Sequence, residues 1–418
     1  MKNNFNYYKL GSKYLFSILD YKDLEKISED EISNYDGHIY FLCKRQAIHS
    51  RRSFSISSPS QIFWDKEDLN ILNLESEDDL ILPPWILEKI NSRSLTSINT
   101  LYPDWESVLE SQTKKKWRLN LIALGDVGST LLIGLRLLGG DIVDSIGIYD
   151  RNDKTLNRWE HELNQIHAPF SKKNFPKVEI IDKDSLFDCD MFIFCASKGI
   201  PPVGSGVSDV RMAQFESNSK IISEYSKMAR VKNFKGIFAV VSDPVDLLCK
   251  VAFLKSNEDN TGEMDFKGLS SDQIIGYGLG VMNARALYYA DKVPDMREYI
   301  DEGRVFGPHG KGLIVANSIL NYNDAKSSTL TDLTLKANLK VREFGYKPFI
   351  APALSSGALS ILATISGEWF YGATYMNSVY MGSSCRLLKS GLEIEQFVLP
   401  DSLKSKIQDT YNNLESII

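Results

Sequence analysis

A glycine turn near residue 125 carries residue types that could bind a dinucleotide. The aliphatic run "LNLIALG" (119–125) leads into the turn Gly125-Asp126-Val127-Gly128, and the helical pattern "STLLIGLRLLGG" follows. Such a turn lets backbone N–H groups at a helix N-terminus approach a pyrophosphate. The next strand, "SIGIYD", ends in Asp150, 22 residues after Gly128, where a carboxylate can accept hydrogen bonds from a ribose diol. The context predicts a dinucleotide site.

The turn departs from the usual glycine pattern in ways that affect the choice of cofactor. Ala123 stands where the first glycine is expected, and Asp126 brings a negative charge into the phosphate turn. A plain strand-to-helix turn is therefore the alternative interpretation. The carboxylate of Asp150 favours NAD over NADP because a 2′-phosphate would meet a negative charge, although the neighbouring Arg151 weakens this preference. We expect NAD as the cofactor.

A histidine at a second glycine turn also draws attention. The stretch "GPHGKG" (307–312) places His309, one of five histidines in the chain, between glycines and directly after the apolar "RVF". A packing role is hard to assign to a side chain in that position. A histidine that serves the turn alone is the alternative to a functional one.

Length, charge and cysteine usage limit the classes of protein that need to be considered. A chain of 418 residues is long for one core and predicts two or three domains. Its net charge of -6 argues against nucleic acid as the main partner. An apolar leader and a membrane-length apolar window are both missing, and the five cysteines lack metal-ligand spacing. We expect a cytoplasmic protein with reduced thiols, no metal site and no membrane contact.

The composition and the predicted pattern of strands and helices change twice along the chain, which divides it into three regions. Residues 1–115 predict a small α+β module of unknown role, in which "HSRRSFSISS" (49–58) is interpreted as a surface loop. From 116 to 268, strands such as "MFIFCAS" and "GIFAVVSDP" alternate with helical stretches, which predicts a Rossmann-type, doubly wound parallel sheet in an α/β fold. Residues 269–418 predict an α+β domain that contains a closely packed helix, "FIAPALSSGALSILATISGEW".

Several motifs in order resemble the lactate/malate dehydrogenase family over residues of about 119–418. They are the glycine turn, Asp150, "DVRMAQFESN" (209–218), "VVSDPVD" (240–246), "IIGYGLGVMNAR" (274–285) and "GPHG" (307–310). The spacings agree as well, since 25 residues separate Asn218 from Asp243 and 24 separate Arg285 from His309. Residues 1–115 have no counterpart in that family.

The resemblance implies a site that reduces a 2-oxo acid to a 2-hydroxy acid. His309 matches the general acid/base, Arg285 the clamp for the substrate carboxylate, and Arg211 the cation that polarises the carbonyl. Asn218 aligns with a landmark near the cofactor, which would be NAD. The family also implies a small-molecule substrate with a carboxylate and a homo-oligomer.

Two positions depart from the family pattern. The aspartate that orients the catalytic histidine, three residues before the clamp arginine, is Met282 here, and the asparagine before proline is Asp243. Asp243 could supply the missing carboxylate from another strand, or dehydrogenase activity could be lost. A third alternative is a changed substrate, because a carboxylate near the substrate oxygen disfavours an alkoxide and tolerates an amine or iminium.

The substrate side of the site is also altered. The loop "KGIPPVGSGVSDV" (198–210) is longer than usual and lacks the second arginine of malate enzymes, which favours a bulkier 2-oxo acid or a peptide-like substrate. Lys347 in "FGYKPF" could bind a distal anion of the substrate or neutralise Asp243, or it could be an exposed lysine at a helix end. A non-catalytic relative, with a protein partner bound through residues 1–115, is the second hypothesis for the whole chain.

Overall fold

The computed structural model describes residues 5–74, 80–110, 114–198 and 210–418, except for the side chains of Val210, Arg211 and Ala213. Within these ranges the chain builds two main sheets, a short hairpin and helices on both faces of the larger sheet. No helix of the described residues is both long and apolar enough to cross a membrane. Among the same residues, no cluster of three or more His, Cys, Asp or Glu side chains could hold a metal ion.

The first region forms a mixed sheet with strand order β3-β1-β2-β4-β6-β5. Its elements are β1 (Asn6–Leu10), β2 (Lys13–Ser17), β3 (Glu25–Lys26), α1 (Glu29–Ser33), β4 (Ile39–Cys43), β5 (Ser53–Ser55), α2 (Pro84–Asn91) and β6 (Leu95–Asn99). Strands β2, β4 and β6 run parallel, while β1 and β5 pair antiparallel with their neighbours. The α+β module expected from the sequence is therefore built around one sheet.

The second region alternates strands and helices. Its elements are β7 (Trp117–Ile122), α3 (Asp126–Leu138), β8 (Val143–Tyr149), α4 (Asp153–Asn164), β9 (Lys177–Ile180), β10 (Met191–Phe194), α5 (Val210–Val231), β11 (Ile237–Val240), α6 (Val245–Asn257) and β12 (Ile274–Gly276). The six strands are parallel and ordered β9-β8-β7-β10-β11-β12. Taken in chain order this is the 3-2-1-4-5-6 arrangement of dinucleotide-binding folds, so the predicted fold class is confirmed.

Burial explains why the central strands are apolar throughout. Every residue of β10 and β11 is buried, because helices cover both faces of the sheet. The strand order reverses between β7 and β10, and a crevice opens at the carboxyl ends of the strands at that point. Ligands of open α/β sheets bind in such a crevice, and the glycine turn after β7 lies there.

The third region extends the same sheet. Its elements are α7 (Gly280–Lys292), α8 (Tyr299–Glu302), β13 (Arg304–Phe306), β14 (Ile314–Ala316), α9 (Asp324–Glu343), α10 (Leu359–Ser366), β15 (Phe370–Met376), β16 (Val379–Leu388), β17 (Gly391–Ile394) and α11 (Asp401–Glu415). Strand β15 pairs antiparallel with β12, and β16 and β17 follow, so nine of the described strands form one sheet. The domain boundary proposed near residue 268 lies before β12, which is the last parallel strand of the sheet.

The small-residue helix packs closely against α3, as its composition predicts. A π-helical turn, Pro352–Ala358, continues directly into α10. A Cβ added at Gly134 of α3 would lie 2.6 Å from Ala358 Cβ, and one added at Gly357 would lie 2.6 Å from Leu131 Cδ1. Neither contact leaves room for a larger residue, so the two glycines hold the helix of the glycine turn against the third region.

The stretch 49–58 is not the surface loop that the sequence suggests. Residues 50–56 are all buried, and they include Arg51 and Arg52. Arg51 Nε lies 2.6 Å from Glu67 Oε2, and Arg52 Nη1 lies 2.7 Å from Asp104 Oδ2. Buried arginines are tolerated where carboxylates pair with them, so a basic stretch can lie inside the protein. The interpretation as a surface loop was wrong because these partners are distant in sequence.

Candidate active site at the carboxyl edge of the parallel sheet

Three side chains selected from the sequence come together where β11 and β12 end. Asp243 follows β11, Arg285 lies on α7, which begins after β12, and His309 lies in the turn between β13 and β14. Adjacent parallel strands end at the same edge of a sheet, which brings the first two elements together. The hairpin then places His309 over this edge.

The central contact joins His309 to Asp243. The Nδ1 atom of His309 lies 3.0 Å from Oδ1 of Asp243, and the two side chains are 18% and 46% exposed. A carboxylate at this distance favours the tautomer that carries hydrogen on Nδ1, which leaves Nε2 for proton exchange with a substrate. Compensation for Met282 by Asp243 requires this proximity, and the structure has it.

The backbone of Asp243 is held by Asn218. The side-chain amide of Asn218, which is fully buried on α5, donates to the carbonyl of Asp243 at 2.7 Å. It also donates to Ser197 Oγ at 3.2 Å and accepts from the backbone N–H of Lys198 at 2.9 Å. Asn218 thus ties the end of β10 to the end of β11. These contacts give the residue a positioning role at the edge where a cofactor would lie.

Close packing at a glycine gives the histidine its place. A Cβ added at Gly278, two residues after β12, would lie 3.0 Å from His309 Cβ. Gly307 and Gly312 have φ of +90° and +95°, and a Cβ on Gly307 would meet the carbonyl of Gly312 at 2.6 Å. The turn can therefore close only because these positions are glycine. Gly278 was not selected from the sequence, although a glycine just after a strand is a signal of close approach.

A residue of the last helix supports the same turn. Thr410 of α11 donates from Oγ1 to the carbonyl of Gly312 at 3.0 Å, and its methyl group packs beside Gly307 and Gly312. The side chain is 6% exposed. Nothing in the sequence pattern links residue 410 to the histidine turn, so only the tertiary structure shows this contact.

Arg285 is half-buried and points toward the same region. Its Nη1 lies 3.7 Å from the sulfur of Met282, and within the described part of the chain no carboxylate oxygen lies within 4.0 Å of the guanidinium. Burial lowers the pKa of Arg285, while Tyr289 and Asp243 raise it through charge interactions. The group stays charged at neutral pH because the guanidinium of an arginine is not deprotonated in proteins. A cation without a close carboxylate partner suits an anionic substrate.

Met282 of α7 stands where the family pattern has the aspartate that orients the histidine. Its side chain is 3% exposed and belongs to an apolar cluster with Leu279, Ala286 and Val305. A carboxylate at this position would be buried among apolar groups beside Arg285. The orienting carboxylate for the histidine lies instead on Asp243, at the end of a neighbouring strand.

Two further sequence-selected features have different outcomes. Arg211 lies in the first turn of α5, but its side chain is outside the description, as are residues 199–209 of the long loop. Its polarising role stays a prediction. Lys347 is described, and its Nζ lies 2.9 Å from Asp126 Oδ2, in the glycine turn, rather than on Asp243.

The glycine turn fits a dinucleotide by its shape. A Cβ added at Gly128 would lie 2.0 Å from the carbonyl oxygen of Ala123, so helix α3 approaches the end of β7 as closely as only glycine allows. Beside Gly125, by contrast, a Cβ would meet nothing within 4 Å, which leaves space for a pyrophosphate. Ala123 has φ of +67°, the conformation for which glycine is usual.

Asp150 is fixed at the end of β8 by backbone donors. Its Oδ2 accepts from the N–H of Leu124 at 2.8 Å, and its Oδ1 accepts from the N–H of Asn152 at 3.0 Å. A carboxylate has about four lone-pair sites, so these two bonds leave capacity for ribose hydroxyls. Asp150 is thus held beside the turn of Gly125, Asp126, Val127 and Gly128, an arrangement that suits the cofactor expected from the sequence.

A cavity of about 480 Å³ lies elsewhere and takes no part in this constellation. It is lined by Gly280, Ala284 and Leu287 of α7 and by the ion pair of Arg304 and Glu395. His309, Asp243 and Arg285 are not among its lining residues. The candidate site formed by these three residues therefore lies outside this cavity.

Comparison with known proteins agrees with the geometry. Residues 118–262 match the family model described as the NAD-binding domain of lactate/malate dehydrogenase. Malate dehydrogenase of Sulfurisphaera tokodaii is 28% identical over 209 residues, which cover 49% of this chain and 60% of that enzyme. The chain thus spans less than two thirds of the length of this relative.

Solved structures show the same fold. A lactate dehydrogenase, MGS-M5, from a Medee basin deep-sea metagenome library is 19% identical with a TM-score of 0.58, covering 72% of this chain and 98% of that one. Malate dehydrogenase of Archaeoglobus fulgidus, solved with NADH, is 19% identical with a TM-score of 0.55, covering 72% and 97%. The family resemblance and the NAD-binding domain expected from the sequence are confirmed.

Proposed function

We propose that the chain is an NAD-dependent oxidoreductase that interconverts a 2-oxo acid and the corresponding 2-hydroxy acid, in keeping with its similarity to the lactate and malate dehydrogenases. The observation that carries this proposal is the 3.0 Å contact between His309 Nδ1 and Asp243 Oδ1. It supplies, from another element, the carboxylate that the family pattern has at the position of Met282.

In this mechanism His309 transfers the proton. NAD, when bound, exchanges a hydride with the substrate carbon. In the reducing direction, Nε2 of His309 gives a proton to the carbonyl oxygen as the hydride arrives at the carbon, and the product is a hydroxyl group. Asp243 keeps the hydrogen on Nδ1 and stabilises the imidazolium before the transfer. A free carboxylate near the substrate oxygen would repel a forming alkoxide. Because the Asp243 carboxylate is hydrogen-bonded to His309, this repulsion is reduced.

Arg285 binds the substrate carboxylate. A guanidinium forms two parallel hydrogen bonds with a carboxylate, and this group is half-buried without a close acidic partner among the described residues. Arg211 would polarise the carbonyl from α5, in keeping with its place in the sequence pattern. The size of the substrate follows from the loop composition alone, which favours a bulky 2-oxo acid or a peptide-like one.

The setting of the enzyme is also part of the proposal. Five free cysteines suit a reducing compartment, so we place the protein in the cytoplasm. The family resemblance suggests a homo-oligomer, which sedimentation of the purified chain would test. A protein partner of residues 1–115 belongs to the alternative hypothesis. The buried contacts between this region and the rest of the chain instead support a structural role for it.

The decisive variant is Asp243→Asn. NADH binding is measured by fluorescence, and then a panel of 2-oxo acids is tested for NADH oxidation at pH of about 6–7. We expect kcat to fall by roughly 100-fold or more, because an amide can present the wrong group to Nδ1, while the Kd for NADH changes by less than about threefold. Asp332→Asn, an exposed carboxylate of α9, is the matched control.

The outcomes separate the hypotheses. Lack of NADH binding by the unaltered protein would refute the enzyme proposal. NADH binding without turnover of any 2-oxo acid would favour the non-catalytic relative. Turnover that survives Asp243→Asn but is lost in His309→Gln would leave the histidine with its role and remove that of Asp243.

A further inference from the structure

An ion pair joins the glycine turn to a segment more than two hundred residues away. The Nζ atom of Lys347 lies 2.9 Å from Oδ2 of Asp126, and the side chains are 79% and 51% exposed. Lys347 follows α9, whereas Asp126 is the first residue of α3. The pair therefore lies beside the turn whose shape fits a pyrophosphate.

Asp126 creates an electrostatic problem at this place. The first N–H groups of α3 have no partner within the helix and attract anions. A carboxylate on the first residue repels the two negative charges of a pyrophosphate that approaches those donors. Without a compensating cation, the turn would bind NAD less well than a turn with a neutral residue at this position.

Lysine is suited to compensate. Its ammonium group has three donors and can hold Asp126 with one of them while another reaches a phosphate oxygen. The long, exposed side chain of Lys347 leaves the remaining donors toward solvent in the absence of cofactor. Because this ion pair is exposed, it contributes little to the stability of the fold, so breaking it to bind a phosphate costs little free energy.

We propose that Lys347 is a cofactor-binding residue of this chain, which neutralises Asp126 and contributes a cation to the pyrophosphate of NAD. The inference rests on NAD occupying the cleft at the glycine turn, as the proposed function requires. It gives Lys347 a role toward the cofactor in place of the substrate role that its sequence position suggests.

Titration of NADH by fluorescence tests the proposal without any need for turnover. Lys347→Ala should raise the Kd roughly three- to tenfold, and Lys347→Arg should stay within about twofold because it retains the charge. Asp126→Asn should bind NADH at least as tightly as the unaltered protein. The double variant Lys347→Ala, Asp126→Asn should return to within about twofold of it, since the repulsion is then gone.

Lys336→Ala is the matched control, because Lys336 is an exposed lysine of α9 that pairs only locally with Asp332. Adenosine, which has no pyrophosphate, should bind all variants equally. An unchanged Kd for NADH in Lys347→Ala would overturn the inference, as would a change confined to the KM of the 2-oxo acid. If the unaltered protein bound no NADH, the proposed function itself would fail, which is a different result from either of these.

Discussion

At the scale of single residues, the candidate site has a carboxylate at a different position from the family pattern. Asp243 at the end of β11 contacts His309 Nδ1, whereas that pattern has an aspartate on α7. Such a change is possible because the two elements end at the same edge of the sheet. A short side chain from either can then reach Nδ1.

The backbone of Ala123 offers a test at the same scale. Its φ of +67° strains an alanine, whereas glycine adopts this conformation freely. We expect Ala123→Gly to raise the free energy of unfolding by about 0.5–1 kcal/mol, after the entropy that glycine adds to the unfolded chain is subtracted. Chemical denaturation would measure it.

The neighbouring Gly128 provides the opposite control. An added Cβ would lie 2.0 Å from the carbonyl oxygen of Ala123, so Gly128→Ala should lower both stability and NADH affinity. Equal stability of Ala123→Gly and the unaltered protein would show that the strain is relieved elsewhere.

At the scale of elements, the hairpin of β13 and β14 carries the histidine, and three other elements hold it. Gly307 donates its N–H to Gly382 of β16 at 2.9 Å, His309 packs on Gly278 after β12, and Thr410 of α11 bonds to the far side of the turn. The position of His309 is therefore set by contacts from across the chain and only in part by its own turn.

Thr410 tests this support. Thr410→Val keeps the methyl contact but loses the hydrogen bond to Gly312, which should cost about 1 kcal/mol of stability. We expect kcat to fall roughly three- to tenfold, with the KM of the substrate nearly unchanged, because the loosened turn misplaces the proton donor. Steady-state kinetics and thermal unfolding are the measurements.

Thr410→Ser keeps the hydroxyl group and should recover most of the loss in kcat. If Thr410→Val lowered stability but left kcat and its pH profile unaltered, the contact would be structural only.

At the scale of the whole molecule, the first region is joined to the large sheet by buried polar contacts. Ser55 and Ser390 share a hydrogen bond of 2.7 Å, and Thr96 Oγ1 donates to the carbonyl of Ser390 at 2.7 Å. Arg52 reaches Asp272, its Nη2 lying 3.8 Å from Oδ2. Ser55, Thr96, Ser390 and Arg52 are buried, and each finds a hydrogen-bonding or ionic partner across this junction, as buried polar groups require.

A histidine in this junction predicts how stability depends on pH. His38 lies 2.7 Å from Thr96 Oγ1, and because that hydroxyl gives its hydrogen to Ser390, Nε2 of His38 must be the donor. Burial, with smaller contributions from Lys13 and Lys89, lowers the pKa of His38 from 6.5 to about 4. The neutral ring is thus the form that the folded protein favours.

The sign of the effect follows from proton binding. Between pH 6.5 and about 4 the unfolded chain binds the proton and the folded chain does not, so stability falls as the pH is lowered through this window. The loss is at most about 3 kcal/mol. His38→Gln keeps a donor to Thr96 but cannot titrate, so its unfolding free energy should depend less on pH there. The measurement is urea unfolding at several pH values. If the unfolding free energies of the two proteins changed equally with pH, the prediction would be contradicted.

The sequence by itself determined the local and ordered features. Aliphatic runs and glycine turns predicted β7, β8, β10 and β11 with the helix between the first two, and the ordered motifs predicted the NAD-binding domain. These features could be predicted because strand burial, turn geometry and motif spacing depend on residues that are close together in the sequence. Arg285 and His309 were selected in the same way.

Only the tertiary structure decided the contacts between distant segments. It brought Asp243 to His309, set Lys347 on Asp126 rather than on Asp243, buried Arg51 and Arg52, and placed Thr410 beside the histidine turn. The partners in these contacts are between 16 and 221 residues apart in the chain. These contacts depend on the strand order and on how the regions pack. The residues that flank a carboxylate or an arginine in the sequence do not reveal which distant residue it will contact.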